Sequence, residues 1–88
     1  MRTVAARRVT VLYFGGARDA AGKSEEQLDL EDSVRTIADL AAHLERAHPG
    51  LAGRLTGVRF AINEAFVDAV AEIRAGDVVA VIPPVSGG

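Results

Sequence analysis

The sequence contains no cysteine. This absence excludes disulfide bonds, thiolate metal sites, thiol nucleophiles and a persulfide carried on a side chain. An excess of one charge is also missing, because acidic and basic residues are mixed along the chain and the formal net charge is only −2. We therefore expect neither nucleic acid nor an anionic membrane surface as a partner.

Long apolar runs are absent as well, since no stretch approaches the roughly 20 residues that span a bilayer. Arg2, Arg7 and Arg8 precede an apolar stretch at 9–17, which loosely resembles a short signal peptide. We favour a first strand that follows a basic, poorly ordered N-terminal extension at 1–8, because removing the stretch would leave the remaining chain short of a core strand. A cytoplasmic location is compatible with the lack of cysteine.

The usual catalytic clusters are missing too. His43 and His48 are five residues apart and no third histidine or cysteine completes a zinc site, so we expect both to be surface residues. The acidic residues are scattered without an evident acid/base pair, and the serines lack the surroundings of an activated nucleophile. A chain of 88 residues forms one domain with one modest core, which leaves little room for a deep catalytic cleft.

Hydrophobic patterning nevertheless predicts a complete small fold. The predicted strands are residues 9–14, 26–30, 58–62, 66–67 and 78–82. A single helical turn at 17–21 ends at Gly22, and the main helix begins at the N-cap Ser33 and ends at Pro49-Gly50. This order predicts an α+β, ubiquitin-like β-grasp domain at 9–82, with a mixed sheet and one main helix across one face. The wholly apolar last strand is expected to be central and parallel to the first.

Both faces of the two central strands are apolar, although one helix covers only one of them. The face expected under the helix contains Val9, Val11, Tyr13, Val79 and Val81. The face expected outside contains Thr10, Leu12, Phe14, Val78, Ala80 and Ile82. An apolar outer face of this kind indicates a surface that binds a partner, with coverage by small loops as the alternative.

The last six residues, 83–88, form a predicted flexible tail with the sequence Pro83-Pro84-Val85-Ser86-Gly87-Gly88. Proline cannot donate to a strand ladder, so the tail leaves the sheet in an extended form and reaches roughly 20 Å. Gly87 and Gly88 have no side chains and could pass through a channel that a Cβ would block. The reactive group at the end is the carboxyl of Gly88. Adenylation would make it an electrophile, and sulfide or a persulfide would convert it to a thiocarboxylate.

These features resemble the small subunit of molybdopterin synthase, the MoaD-type sulfur carrier of the ThiS/MoaD family. The resemblance covers residues 9–88 and rests on the first strand, Ala17-Arg18, Gly76-Asp77 and, most specifically, the tail 83–88. It implies that an ATP-dependent, E1-like activating enzyme of the MoeB type adenylates Gly88, after which a sulfurtransferase system forms the thiocarboxylate. The chain itself would bind no cofactor.

The resemblance also implies a partner. The tail would enter a MoaE-type large subunit, within a heterotetramer, and donate sulfur to the cyclic pyranopterin precursor in molybdenum cofactor biosynthesis. The large subunit would supply the catalytic side chains, so this chain would act as a non-catalytic cosubstrate. By position, Phe14, Phe66 and Ile82 match the partner surface of the family, and Arg18 matches a position near it.

Two other classes of function remain open. Related Gly-Gly carriers deliver sulfur for cysteine or thiamine biosynthesis, and some relatives modify proteins through lysine. Alternatively, the chain is a non-covalent β-grasp binding module with an incidental tail. The Pro83-Pro84 exit favours the molybdopterin branch.

Overall fold

The computed structural model describes residues 7–84. The strands are β1 (Arg7–Tyr13), β2 (Glu25–Leu30), β3 (Arg59–Ile62), β4 (Ala65–Val67) and β5 (Val78–Ile82). The helices are α1 (Gly15–Ala21), α2 (Ile37–Ala47) and a short 3₁₀ helix, Pro49–Leu51. Within 7–84, no helix is long and apolar enough to cross a lipid bilayer.

The five strands form one mixed sheet in the order β2-β1-β5-β3-β4. The central pair, β1 and β5, is parallel with Val11 opposite Val79, and the other neighbours are antiparallel. This arrangement confirms the predicted α+β β-grasp fold, including the central position of the last strand. The range of β5, residues 78–82, is also the predicted one.

The core lies between the inner face of the sheet and α2. The five inner-face residues expected from the alternation are all buried, and none is more than 2% exposed: Val9, Val11, Tyr13, Val79 and Val81. From α2, Ile37, Leu40 and Leu44 pack against them at helical spacing. The inner face of the central strands is therefore buried in the core and is not available to a partner.

Helix α2 begins later than predicted. Thr36, not Ser33, is the N-cap: its side chain accepts a hydrogen bond from the Asp39 backbone N–H, and the Asp39 carboxylate accepts one from the Thr36 N–H. This reciprocal pair, a capping box, needs a side chain three residues after the N-cap that can accept a hydrogen bond from the N-cap N–H. Asp39 fills this position for Thr36, whereas Ser33 has Thr36 there instead of an acidic residue. Hydrogen bonds from the backbone N–H groups of Arg35 and Thr36 lower the pKa of Asp39. Ser33 as the N-cap was wrong.

Strand β1 begins two residues earlier than predicted, because Arg7 and Arg8 were expected in the N-terminal extension. Arg7 pairs with β2, and its guanidinium donates to the backbone carbonyls of Ile73 and Glu31 at 2.8 Å and also to that of Val34. These bonds join the sheet to two loops that are distant in sequence. The remainder of the predicted extension, residues 1–6, lies outside the described residues.

A polar cluster joins β1, β2 and the end of α2. The Glu26 carboxylate accepts hydrogen bonds from the Tyr13 hydroxyl at 2.5 Å and from His48 Nε2 at 2.6 Å, and the two rings meet edge to face. Burial alone would raise the pKa of Glu26, but the bonds from Tyr13 and His48 hold it below its usual value. Burial, followed by the bond to Glu26, raises the pKa of Tyr13. The prediction of a surface histidine was therefore wrong for His48, whose side chain is only 15% exposed.

Gly50 marks a close contact between the 3₁₀ helix and α1. A Cβ on Gly50 would overlap the backbone carbonyl oxygen of Ala20 and lie 3.3 Å from its carbonyl carbon. We expect Gly50→Ala to lower the free energy of unfolding by about 2–3 kcal/mol, because backbone atoms cannot move aside as a side chain can. Urea denaturation measures this change.

The matched control for Gly50→Ala is Gly16→Ala, in α1, where an added Cβ would find nothing within 4 Å. Alanine is the better helix former, so the control should gain up to about 1 kcal/mol. Equal unfolding midpoints for the two variants would show that the space between residue 50 and the Ala20 carbonyl oxygen is large enough for a Cβ.

Candidate partner-docking face and tail exit

The face of the sheet opposite α2 carries a shallow groove of about 510 Å³. Strand alternation brings its side chains together from β1, β5 and β3, and the β3–β4 hairpin closes one end. We call it the outer-face groove; its lining residues are Leu12, Phe14, Ala61, Asn63, Glu64, Phe66, Val78, Ala80 and Ile82. Most of these residues are apolar, so the groove is suited to binding rather than to acid/base chemistry.

Large apolar side chains are unusually exposed in this groove. Phe14 is 47% exposed, Phe66 is 59% exposed and Val78 is 36% exposed. Single exposed apolar residues are common, but three in one groove form a patch of the kind that a second protein covers. Three predicted partner-surface residues, Phe14, Phe66 and Ile82, therefore line one groove.

The position of Phe14 follows from the local backbone. The strand was predicted to include Phe14, but it ends at Tyr13 and Phe14 is the extended N-cap of α1. Its N–H still donates to the Val81 carbonyl, so its side chain stays on the outer face. Gly15 then takes a φ of +52°, which lets the chain turn into α1 directly after the strand.

The far end of the groove is held by a two-residue turn between β3 and β4. Asn63 and Glu64 both have positive φ, which asparagine tolerates well. The Asn63 side chain donates to Asp77 at 3.0 Å and accepts from the Val78 N–H at 2.9 Å, so the turn is tied to the start of β5. The predicted strands 58–62 and 66–67 leave residues 63–65 as the connection, whereas Ala65 already belongs to β4.

Arg59 was not identified from the sequence. It lies in β3 opposite Ile82, and its guanidinium carbon is 4.2 Å from the centroid of the Phe66 ring. The alternation of β3 could have placed it on the outer face with Ala61, but the contact with Phe66 depends on the β3–β4 pairing. Arg59 therefore adds a positive charge beside the exposed ring of Phe66.

The tail leaves the sheet at the same end as Phe14, Ile82 and Arg59. Parallel pairing places the end of β5 beside the end of β1, and Ile82 is the last strand residue. Pro83 follows, half-buried, and its ring lies 3.5 Å from the position that a Cβ on Gly15 would occupy. Pro84 is exposed. The predicted tail residues Val85, Ser86, Gly87 and Gly88 lie outside the described residues.

Arg18 is placed elsewhere. It is exposed on α1 and lines a separate shallow depression with Asp19, Gly22, Lys23 and Ser24. The structure therefore does not bring Arg18 into the lining of the outer-face groove. Within residues 7–84, there is also no group of three or more histidine or acidic side chains that could hold a metal ion.

A model of the ThiS family matches residues 11–88, which includes both the groove and the tail. The chain belongs to the ThiS family. This ThiS-family chain is 40% identical over 84 residues to a molybdopterin synthase sulfur carrier subunit from Chlamydomonas reinhardtii, covering 92% of this chain and 99% of the relative. The human protein of the same name is 33% identical over 84 residues, covering 92% of this chain and 94% of the relative.

Solved structures agree with this family membership. Subunit 1 of a putative molybdopterin converting factor from Pyrococcus furiosus superposes with a TM-score of 0.78 at 31% identity, covering 91% of this chain and 100% of that chain. A chain in the complex of subunits 1 and 2 of the molybdopterin-converting factor from Helicobacter pylori superposes with a TM-score of 0.64, covering 92% and 99%. At 24% identity, the second likeness concerns the fold alone.

Proposed function

We propose that this ThiS-family chain is the sulfur carrier subunit of molybdopterin synthase, which donates sulfur from Gly88 in molybdenum cofactor biosynthesis. The observation that carries the proposal is the position of the tail exit at one end of the outer-face groove. A partner seated in the groove is then placed to receive the tail that begins at Pro83. The name shared by the Chlamydomonas and human relatives supports molybdopterin as the pathway.

The carrier chemistry takes place at the terminal carboxyl. In the proposed sequence, the Gly88 carboxylate attacks the α-phosphate of ATP on an E1-like, MoeB-type enzyme and releases pyrophosphate. Sulfide displaces AMP from the acyl adenylate and leaves a thiocarboxylate directly. A sulfurtransferase persulfide also displaces AMP but gives an acyl disulfide, and a thiol of the transfer system must then attack its S–S bond, so that the thiocarboxylate leaves and a disulfide forms on the transfer system. The thiocarboxylate is a good nucleophile at neutral pH and delivers sulfur to the cyclic pyranopterin precursor. ATP is used by the activating enzyme and is not bound by this chain.

The proposed partner is a MoaE-type large subunit in a heterotetramer. The Chlamydomonas and human relatives are named as subunits of molybdopterin synthase, which supports a second subunit as the partner. The outer-face groove supplies an apolar docking surface of the kind found at the centre of protein interfaces. The large subunit would hold the catalytic side chains, and this chain would act as a cosubstrate. Because activation consumes ATP, the proposal places the reaction in the cytoplasm.

The proposal is tested on protein isolated from its native source. The expected intact mass exceeds the unmodified mass by the difference between one sulfur and one oxygen atom, and the increase lies on the C-terminal fragment. The expected companion is a MoaE-type subunit. A chain with an unmodified carboxyl under conditions of active cofactor synthesis would contradict the carrier role, and a cysteine-synthase-like companion would change the pathway.

A further inference from the structure

The outer-face groove is apolar except at the end that contains Asn63 and Glu64. Arg59 is not among its lining residues but lies beside it, because its side chain stacks on Phe66 and its backbone pairs with Ile82. We propose that Arg59 binds a carboxylate side chain of the large subunit and that this pair sets the orientation in which the tail is presented. The inference rests on the proposed function and names the partner chemistry at one point of its interface. It makes Arg59 a specificity-determining residue of the docking step.

The Arg59 side chain is held in place but not neutralised. Its guanidinium carbon lies 4.2 Å from the Phe66 ring centroid, and residue 59 is exposed. The three ion pairs of residues 7–84 join Arg8 to Asp29 and link Lys23 and His48 to Glu26, so none of them uses Arg59. None of the side-chain hydrogen bonds in this part of the chain uses it either.

Docking changes the surroundings of this cation. The Arg59 side chain stacks on Phe66, and its backbone pairs with Ile82 in the sheet. A partner that covers Phe66 and Ile82 therefore also removes water from Arg59. A buried charge without a partner is costly, whereas a carboxylate can accept two parallel hydrogen bonds from one guanidinium. The stacked ring also limits the rotamers of Arg59 before binding, so less side-chain entropy is lost on docking.

The opposite end of the groove carries the other sign of charge. Glu64 lies in the turn beyond β3, and the backbones of Asn63 and Arg59 are four residue steps apart, roughly 13 Å along the strand. A partner with an acid at the tail end is attracted in one orientation and repelled in the reverse one. In the favoured orientation, the partner's acid lies against the Arg59 guanidinium, next to the Phe66 ring.

A purely structural role for Arg59 predicts a different outcome. An exposed cation–π contact contributes little to folding, so loss of Arg59 should leave the fold intact. If Arg59 only covers the Phe66 ring, its replacement by leucine should bind the partner as well as the wild type does. If it pairs with a carboxylate, binding should weaken and lose salt dependence.

The test measures the affinity of the purified large subunit from the same organism for wild type, Arg59→Leu and Arg59→Glu. The matched control is Arg46→Glu, which makes the same charge change on the exposed surface of α2, on the other side of the sheet. We expect Arg59→Leu to weaken binding about tenfold and Arg59→Glu about 100-fold, with Arg46→Glu within about twofold. Between about 0.05 and 0.5 M salt, wild-type affinity should fall more than that of Arg59→Leu.

The outcomes separate the inference from the function on which it rests. Equal affinity of Arg59→Glu and wild type, or the same salt dependence for Arg59→Leu and wild type, would overturn the role of Arg59 while the carrier function stands. Failure of the folded wild type to bind the large subunit would overturn the proposed partner and the inference together. Recovery of affinity when Arg59→Glu meets an acid-to-lysine variant of the large subunit would identify the paired carboxylate.

Discussion

A chain that lacks Gly88 is expected to lose all sulfur transfer while it still folds and still docks on the large subunit. Deletion moves the terminal carboxyl to Gly87 and shortens the reach of the tail by about 3.5 Å. Reactions at an enzyme site are sensitive to errors of about 1 Å, so a carboxyl displaced by one residue cannot meet the adenylating and sulfur-accepting groups. Mass spectrometry after incubation with the activating enzyme, ATP and the sulfur donor measures thiocarboxylate formation directly.

The matched variant is Gly88→Ala, which keeps the length of the tail and adds only a methyl group. Gly88→Ala should retain part of the sulfur transfer if the length of the tail is the main requirement. It should retain little sulfur transfer if the receiving channel has no room for a Cβ atom. Folding and docking of the deletion variant are checked by denaturation and by affinity for the large subunit. Normal sulfur transfer by the shortened chain would exclude the terminal carboxyl of Gly88 as the carrier group.

Phe14→Asp is expected to weaken binding to the large subunit by about 30-fold to 1000-fold, which corresponds to about 2–4 kcal/mol. The change removes an aromatic side chain from the outer-face groove and places a charge against an apolar partner surface. The fold should tolerate it, because Phe14 is 47% exposed and occupies the N-cap of α1, where aspartate is favourable. Calorimetric titration gives the affinity, and urea denaturation should show a change within about 1 kcal/mol.

Val70→Asp is the matched control for Phe14→Asp. Val70 is 78% exposed, and it is not among the residues that line the groove. The same kind of substitution there should leave affinity nearly unchanged. Similar losses for both variants would show that net charge, rather than the outer-face groove, governs the interaction.

Local patterns predicted the sheet well for physical reasons. The apolar run of β5 and the spacing of apolar residues in β1 predict which faces of these strands are buried. Such patterns depend only on residues that are close together in the sequence. The end of α1 was predicted for the same reason, because Gly22 adopts the left-handed conformation that ends a helix. The start of α2 was predicted wrongly, because Ser33 and Thr36 are both acceptable caps and only Asp39 at the third position distinguishes them.

Contacts between distant segments were beyond such patterns. The cluster of Tyr13, Glu26 and His48 joins residues separated by up to 35 positions, so no spacing rule indicates it. Arg59 is similar, since its contact with Phe66 requires that β3 and β4 pair in one register. The predicted partner residues Phe14, Phe66 and Ile82 could be named from the sequence, but their shared groove required the sheet order.

The sequence by itself supplied the hypothesis for the chemistry proposed for this protein. Without cysteine and with glycine at both final positions, the sequence directs attention to the terminal carboxyl of Gly88. Only the tertiary structure decided where the chain leaves the sheet, because parallel pairing of β1 with β5 brings Phe14 and Ile82 to the tail exit and antiparallel pairing of β3 adds Arg59. Hydrogen-bond registers between strands far apart in sequence place these residues together, and no local pattern contains that information.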